Sequence, residues 1–165
     1  MKKKILLILP LTLFLFVLGS SVKESHGHVT NEDTFLTWLE FENSPSIIDI
    51  AAGNEYVWGA HTDGVIRWHK QDKSYTNFTK ATGLIGTQVT AVEIDHLGRV
   101  WVGTNAGLSR FDGTNWTHVT TTNGLADNFV TSLSSGLNGE LFVGAEDSLT
   151  IYNGTSWQIH RGNSS

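Results

Sequence analysis

The sequence predicts an all-β fold made of three copies of one small antiparallel sheet. Three observations support this prediction. Residue patterns recur at a spacing of 41 positions, turn residues punctuate each copy, and apolar residues alternate or form short runs without a helical period. The 17 glycines and 6 tryptophans among 165 residues are typical of many tight turns that join short aromatic strands.

The period is clearest between the second and third copies. Segment 101–116 repeats as segment 142–157, with glycines and aromatic residues matched 41 positions apart. The first copy is looser. Trp58 aligns with Val102 after one inserted residue, and Tyr75 takes the place of the outer tryptophan, again at a spacing of 41. This many matches at one spacing indicates a structural repeat.

Each copy is predicted to hold four short strands. In the middle copy these are Val89–Ile94, Arg99–Gly103, Leu108–Phe111 and Trp116–Thr120. Gly and Asn between them suit turn positions that need a positive φ. A 41-residue unit with four antiparallel strands has the size of one β-propeller blade. The predicted blades cover about residues 46–80, 87–121 and 128–161.

The recurring aromatic residues are predicted to lie in the core between blades. Blades pack face to face, so large rings fill the gaps that widen away from the axis. These residues are Trp101, Phe111, Trp116, Phe142, Tyr152 and Trp157.

Composition and motifs exclude several function classes. The absence of Cys excludes disulfide scaffolds, thiolate metal sites and cysteine nucleophiles. With 16 acidic and 11 basic residues, the chain lacks the basic footprint of a nucleic-acid-binding protein. No nucleophile elbow or other catalytic motif is present, so no catalytic residue, metal or cofactor is predicted.

The N-terminal segment predicts export from the cell. Three lysines follow Met1, an apolar run of 14 residues spans positions 5–18, and small residues follow it. The run is shorter than the roughly 20 residues that span a membrane. We therefore expect a bacterial signal peptide at 1–21, a flexible polar leader at 22–33 and no membrane span after cleavage. The alternative is an uncleaved N-terminal anchor.

Segment 98–116, followed by 123–130, resembles the two-component regulator propeller repeat. The resemblance covers about residues 34–165 and is strongest in the second and third copies. In that family, such repeats build periplasmic sensor propellers of bacterial hybrid histidine kinases. Related secreted proteins carry the repeats without a kinase. The resemblance thus implies a β-propeller, a periplasmic or extracellular location and a role in signal transduction. It implies no catalytic motif.

The number of blades predicts an incomplete ring. Residues 34–42 match an outer-strand pattern, so the chain holds one outer strand and three blades, whereas closed propellers usually have four to eight blades. Three explanations stay open. The chain is a truncated or degenerate copy of a longer protein, two copies close a six-bladed ring as a homodimer, or a partner protein covers the open blade faces.

Candidate ligand-binding residues lie at one end of the blades. The loop between the second and third strands of each blade is predicted to share this end with the connection to the next blade, where binding residues often lie. The mixture of carboxylates and amides suits a hydroxyl-rich small molecule or a hard cation. The predicted residues are His61, Asp63, Asn105, Asp127, Asn128, Glu146 and Asp147.

Three functions are consistent with these features. The first is an exported non-enzymatic module that binds a small molecule or glycan and acts as a sensor. The second is a structural or protein-interaction propeller at the cell surface. The third and least favoured is a propeller lyase, because such an enzyme needs a full ring with convergent histidine and glutamate side chains, and a fold alone implies no activity.

Overall fold

The computed structural model describes residues 46–162, all within the compact unit Glu42–Ser165. The predicted signal peptide, the leader and the outer strand at 34–42 lie outside the described residues. Twelve strands form three antiparallel sheets of four strands each. The strands are β1 Ile47–Ala52, β2 Tyr56–His61, β3 Gly64–His69, β4 Tyr75–Phe78, β5 Val89–Ile94, β6 Val100–Thr104, β7 Gly107–Phe111, β8 Trp116–Val119, β9 Ser132–Ser135, β10 Leu141–Ala145, β11 Ser148–Tyr152 and β12 Trp157–Arg161.

The predicted fold class is confirmed. In each sheet the strands pair in chain order, so each blade is a simple meander of β1–β4, β5–β8 or β9–β12. Segments 79–88 and 120–131 connect the blades, and the first contains a 3-10 turn, Lys80–Thr82. Residues 46–162 contain no α-helix, and hence no helix suited to crossing a membrane.

Strand pairing corrects the alignment of the first copy. Trp58 pairs with Arg67, and Trp101 pairs with Arg110. The turns that follow β2 and β6 each contain two residues between their paired ends. Trp58 is therefore the equivalent of Trp101, and the inserted residue that placed Trp58 opposite Val102 is not needed. Sequence comparison was misled because Gly59 resembles the recurring glycine one position further along.

The first two blades pack through a continuous apolar core. Val65 and Ala60 on the first blade and Val102 on the second are fully buried, and Trp58 is 3% exposed. Since strand residues alternate between faces, each blade has one side toward the next blade and one toward the preceding blade. We call these the forward face and the rear face. Trp58 and Val65 lie on the forward face of the first blade, and Val100 and Phe111 on the rear face of the second.

The second interface repeats the first. Trp101 and Leu108 on the forward face of the second blade are 1% and 0% exposed. They pack against Leu141 and Val143 on the rear face of the third blade. Half-buried rings complete this cluster, with Tyr152 and Trp157 stacked at 4.5 Å between ring centroids. Five of the six predicted core aromatics therefore lie at the interfaces, although among them only Trp101 and Phe111 are buried. The prediction was wrong for Phe142, which pairs with Ile151 on the opposite side of the third blade from Leu141 and Val143.

Each connection packs against the outer tryptophan of the blade that it enters. Gly83 lies so close to Trp116 that a Cβ atom there would collide with Cδ1 of the ring, and Gly124 has the same relation to Trp157. Both glycines have positive φ values, 136° and 155°. These glycines are required twice over, because a side chain would be strained and would also collide with the ring.

Candidate functional site

Three two-residue turns and two connections form one end of the blades, which we call the loop face. The turns are Thr62-Asp63, Asn105-Ala106 and Glu146-Asp147, and the connections are segments 79–88 and 120–131. In a four-stranded meander the turn after the second strand lies at the same end as the exit of the fourth strand. The structure therefore places all seven predicted residues at or beside this end.

Backbone hydrogen bonds join the turns to the connections. Val89 N donates to Thr62 O at 2.9 Å, and Asn105 N donates to Gln88 O at 3.0 Å. Likewise, Val130 N in the second connection donates to Thr104 O, at the end of β6, at 3.1 Å. These backbone hydrogen bonds fix the positions of the loops, and hence of the Cα atoms from which the side chains of the loop face extend.

The amide side chains of the loop face are used by the fold. Asn105 Oδ1 accepts hydrogen bonds from the backbone N–H groups of Thr87 and Gln88, both at 3.3 Å. Asn128 Oδ1 accepts one from Thr121 N at 2.9 Å. These oxygens replace missing backbone partners in the connections, as Asn does in many turns. A structural role accounts for both residues.

His61 lies at the end of β2 but is buried, with only 4% of its surface exposed. Its Nε2 is 3.2 Å from Asn77 Oδ1, and its ring packs against Gly64. Nδ1 is buried and has no hydrogen-bond partner among the described residues. The ring therefore does not project from the loop face toward solvent.

The carboxylates of the loop face are exposed. Asp63, Glu146 and Asp147 accept no side-chain hydrogen bond from another described residue, and each lies in solvent. Asp127 Oδ1 accepts a hydrogen bond from Phe129 N at 2.8 Å, and its Oδ2 accepts none from the described residues. These four acidic side chains are the part of the predicted set that remains available to a ligand.

The loop face offers no preformed metal centre. Within residues 46–162, no three His, Asp or Glu side chains are grouped closely enough to hold a metal ion. Calcium prefers six to eight oxygen ligands, so the exposed carboxylates would need ligand atoms from elsewhere to bind it tightly.

The opposite end of the second blade holds a buried carboxylate that sequence reasoning missed. Asp95 is 5% exposed and lies in the turn between β5 and β6. Its Oδ2 accepts hydrogen bonds from Trp101 Nε1 at 2.8 Å and Arg99 Nε at 2.6 Å. Its Oδ1 accepts from the backbone N–H groups of Leu97 and Arg99, both at 3.0 Å. The spacing of an acid six residues before a buried tryptophan was the available signal.

The environment of Asp95 keeps its carboxyl ionised. Burial alone would raise its pKa, but the hydrogen bonds from Trp101 and Arg99 outweigh burial and hold the pKa below its ordinary value. With four hydrogen-bond donors, one of them the Arg99 guanidinium, this group has the chemistry of a structural carboxylate. It has no oxygen left for a substrate.

The repeat is recognised by a family model. The model described as two component regulator propeller matches residues 83–106, from the close-packed Gly83 through the tryptophan strand β6. The chain carries a two-component regulator propeller repeat. The expected resemblance is thereby confirmed, and the match coincides with the elements that pack the second blade against its neighbours.

Solved structures show the same fold at low sequence identity. The extracellular domain of the putative hybrid two component system BT3049 from B. thetaiotaomicron matches 70% of the chain with a TM-score of 0.61 and 17% identity. That of BT4673 from B. thetaiotaomicron matches 70% with a TM-score of 0.59 and 19% identity. Virginiamycin B lyase from Staphylococcus aureus matches 72% with a TM-score of 0.58 and 14% identity.

The chain matches less than half the length of each of these proteins. The matched region covers 17% of the BT3049 domain, 16% of the BT4673 domain and 42% of the lyase. No curated protein sequence matches the chain. At these identities the comparisons establish the propeller fold, and they leave the activity to be argued from the residues.

Proposed function

We propose that the protein is an exported, non-enzymatic binding module of the sensor type, which recognises a small hydroxyl-rich ligand such as a glycan through its loop face. The observation that carries the proposal is that the amide and carboxylate side chains on that face have different roles. Asn105 and Asn128 stabilise the loops, while Asp63, Asp127, Glu146 and Asp147 remain exposed on a framework held by backbone hydrogen bonds. Such a framework binds without prior ordering, which lowers the entropic cost of recognition.

The proposal places the protein in the periplasm or outside the cell. The predicted signal peptide at 1–21 and the resemblance to periplasmic sensor propellers support this location. Mass spectrometry of the exported protein tests it, because cleavage after residue 21 gives a defined N-terminus at Val22. Recovery of the protein only with Met1 in place, in the membrane fraction, would favour the uncleaved anchor.

Ligand binding is tested by thermal shift with a panel of sugars and divalent cations. The test variant replaces Asp63, Glu146 and Asp147 with Asn, Gln and Asn, which keeps side-chain size and removes charge. We expect the variant to fold with unchanged stability and to lose the ligand-dependent rise in Tm. The matched control is Asp112→Asn, an exposed acid at the opposite end of the blade whose oxygen accepts from Thr114 N and Asn115 N.

The outcomes separate the proposal from its rivals. A rise in Tm that survives the triple substitution contradicts recognition by these carboxylates. Turnover of a streptogramin antibiotic by the purified protein would contradict a non-enzymatic role and favour the lyase function. We expect no turnover, since the predicted site lacks a grouped set of acid, base or metal ligands among residues 46–162.

A second candidate is a structural or protein-interaction propeller at the cell surface. Apolar side chains at the two ends of the blade array favour it, since Ile50 is 63% exposed and Leu149 is 38% exposed. Under this function, substitutions on the blade faces would abolish binding of the partner protein, and the triple loop-face variant would still bind it. The two candidates therefore predict opposite outcomes for the same pair of variants.

A further inference from the structure

We propose that the forward face of the third blade docks on the rear face of the first blade of a second copy of this chain. The proposal concerns a different surface from the loop face and does not depend on the ligand. It rests on the two blade interfaces within the chain, which show how the forward face of one blade packs against the rear face of the next.

The two internal interfaces follow one rule. The forward face of the first blade, with Trp58 and Val65, is covered by the rear face of the second blade. The forward face of the second blade, with Trp101 and Leu108, is covered by the rear face of the third. In both cases a forward face packs against a rear face, and in neither case do two forward faces or two rear faces pack together.

The third blade continues this series with an uncovered forward face. Phe142 occupies the position of Trp101 and Leu149 that of Leu108, each 41 residues later. Leu108 is 0% exposed and Leu149 is 38% exposed, although their strand positions are equivalent. The difference arises because no described residue covers Leu149 as the third blade covers Leu108.

This face carries fewer acidic and basic residues than its internal equivalents. On the first two blades an arginine lies over the forward rings, with Arg67 Cζ 5.8 Å from the Trp58 ring and Arg110 Cζ 5.6 Å from the Trp101 ring. The third blade has Ile151 at this position, paired with Phe142. Pairing and alternation leave no Asp, Glu, Lys or Arg among the strand residues on this side. Docking would therefore bury no unpaired charge.

The rear face of the first blade has matching chemistry. Ile50 pairs with Gly59 and is 63% exposed. Ile66 takes the place of Ser109, whose hydroxyl on the second blade accepts a hydrogen bond from Ile85 N. No Asp, Glu, Lys or Arg lies among the strand residues on this side either. Both terminal faces thus suit burial against each other by the rule of the internal interfaces.

The association is tested by light scattering coupled to gel filtration, using the whole exported protein over a hundredfold range of concentration. We expect a dimer, since two copies of the three blades that the structure describes give six blades, a number found in closed propellers. Leu149→Asp should weaken the dimer by about a hundredfold or more, because it buries an unpaired carboxylate. Its matched control is Leu137→Asp, at a fully exposed turn position at the opposite end from the loop face.

A mixing experiment tests the polarity of the contact. Ile50→Asp alone should also abolish the dimer, since each subunit supplies one forward and one rear face. A mixture of the Leu149→Asp and Ile50→Asp proteins should associate again, because one of the two contacts then joins two unaltered faces. Circular dichroism confirms that each variant remains folded.

Each alternative result overturns the proposal. A wild-type monomer at every concentration excludes the contact. A dimer that persists in Leu149→Asp uses another surface. A dimer that is lost in Leu149→Asp but kept in Ile50→Asp joins two forward faces and contradicts the head-to-tail rule.

Discussion

The hairpins that join the first two strands of the second and third blades are equivalent in sequence position but differ in chemistry. In the second blade, Asp95 is buried and accepts the indole N–H of Trp101. In the third blade, Gly136 stands 41 residues after Asp95 and Phe142 stands 41 residues after Trp101. The acid and the indole are therefore present together in one blade and absent together in the other.

The physical reason is hydrogen-bond satisfaction. A buried indole N–H without an acceptor is costly, and a buried carboxylate without donors is costlier still. A phenyl ring has no such requirement. The backbone bond that closes the hairpin is present in both blades, from Asp95 N to Arg99 O at 3.0 Å and from Gly136 N to Glu140 O at 2.8 Å, so only the side-chain pair differs. Asp95 and Trp101 therefore act as one structural unit.

The largest expected effect comes from breaking that unit at the acid. Asp95→Ala should lower the free energy of unfolding by about 3–5 kcal/mol, because it leaves Trp101 Nε1 and the Arg99 guanidinium without their acceptor. Urea denaturation measures this loss. The control is Glu140→Ala in the third blade, where we expect a loss below about 1 kcal/mol. Similar losses in both variants would contradict the difference between the hairpins.

The next effect tests a feature that the two blades share. Gly83→Ala should cost about 3 kcal/mol, since the new methyl group would meet the Trp116 ring at a backbone φ of 136°. Gly113→Ala separates the two causes, because Gly113 has a φ of 103° but no atom within 4 Å of the added Cβ. It should cost about 1 kcal/mol. Equal losses would show that the ring contact contributes nothing.

A smaller effect is expected when the second blade is converted toward the third. Trp101→Phe should cost about 2 kcal/mol through the lost hydrogen bond to Asp95 and the smaller ring. The variant with both Asp95→Gly and Trp101→Phe should be more stable than the sum of the single changes predicts. A double-mutant cycle of unfolding free energies measures this coupling, and strict additivity would refute the unit.

The last prediction concerns pH. The folded pKa of Asp95 lies below its ordinary value of 3.8. Its contribution to the free energy of unfolding is therefore complete when the pH is above that ordinary pKa. The contribution is lost as the pH falls through the lowered folded pKa. Tm measured from pH 7 to pH 2 should therefore fall less steeply on the acid side in Asp95→Asn than in the wild type. Asp72, Asp112 and Glu140 also have lowered pKa values and contribute to the slope that remains.

Much of the fold could be predicted from the repeat. Strand β5 has the predicted bounds, β6 is shifted by one residue at both ends, and β7 and β8 each differ from the prediction by one residue at one end. Period-2 alternation and glycine turns are local features, so sequence alone carries them. The alignment of the first copy was wrong because register depends on pairing between strands, and Gly59 offered a false match to Gly103.

The candidate site was predicted less completely. Sequence identified the turns correctly, because two-residue loops have strong composition signals. It could not show that Asn105 and Asn128 are used by neighbouring backbone groups or that His61 is buried against Asn77. It also missed Asp95, since only the folded hairpin brings its carboxylate to Trp101 and Arg99. The binding role of the remaining carboxylates stays a prediction.

The sequence by itself determined the repeat, the strands, the turns and the polar character of the loop face. These properties follow from spacing and residue type within about 41 consecutive positions. The tertiary structure decided which side chains remain available, because burial and hydrogen bonding depend on which blade packs against which. Leu108 and Leu149 share one repeat position, yet within residues 46–162 only Leu108 is covered by a following blade.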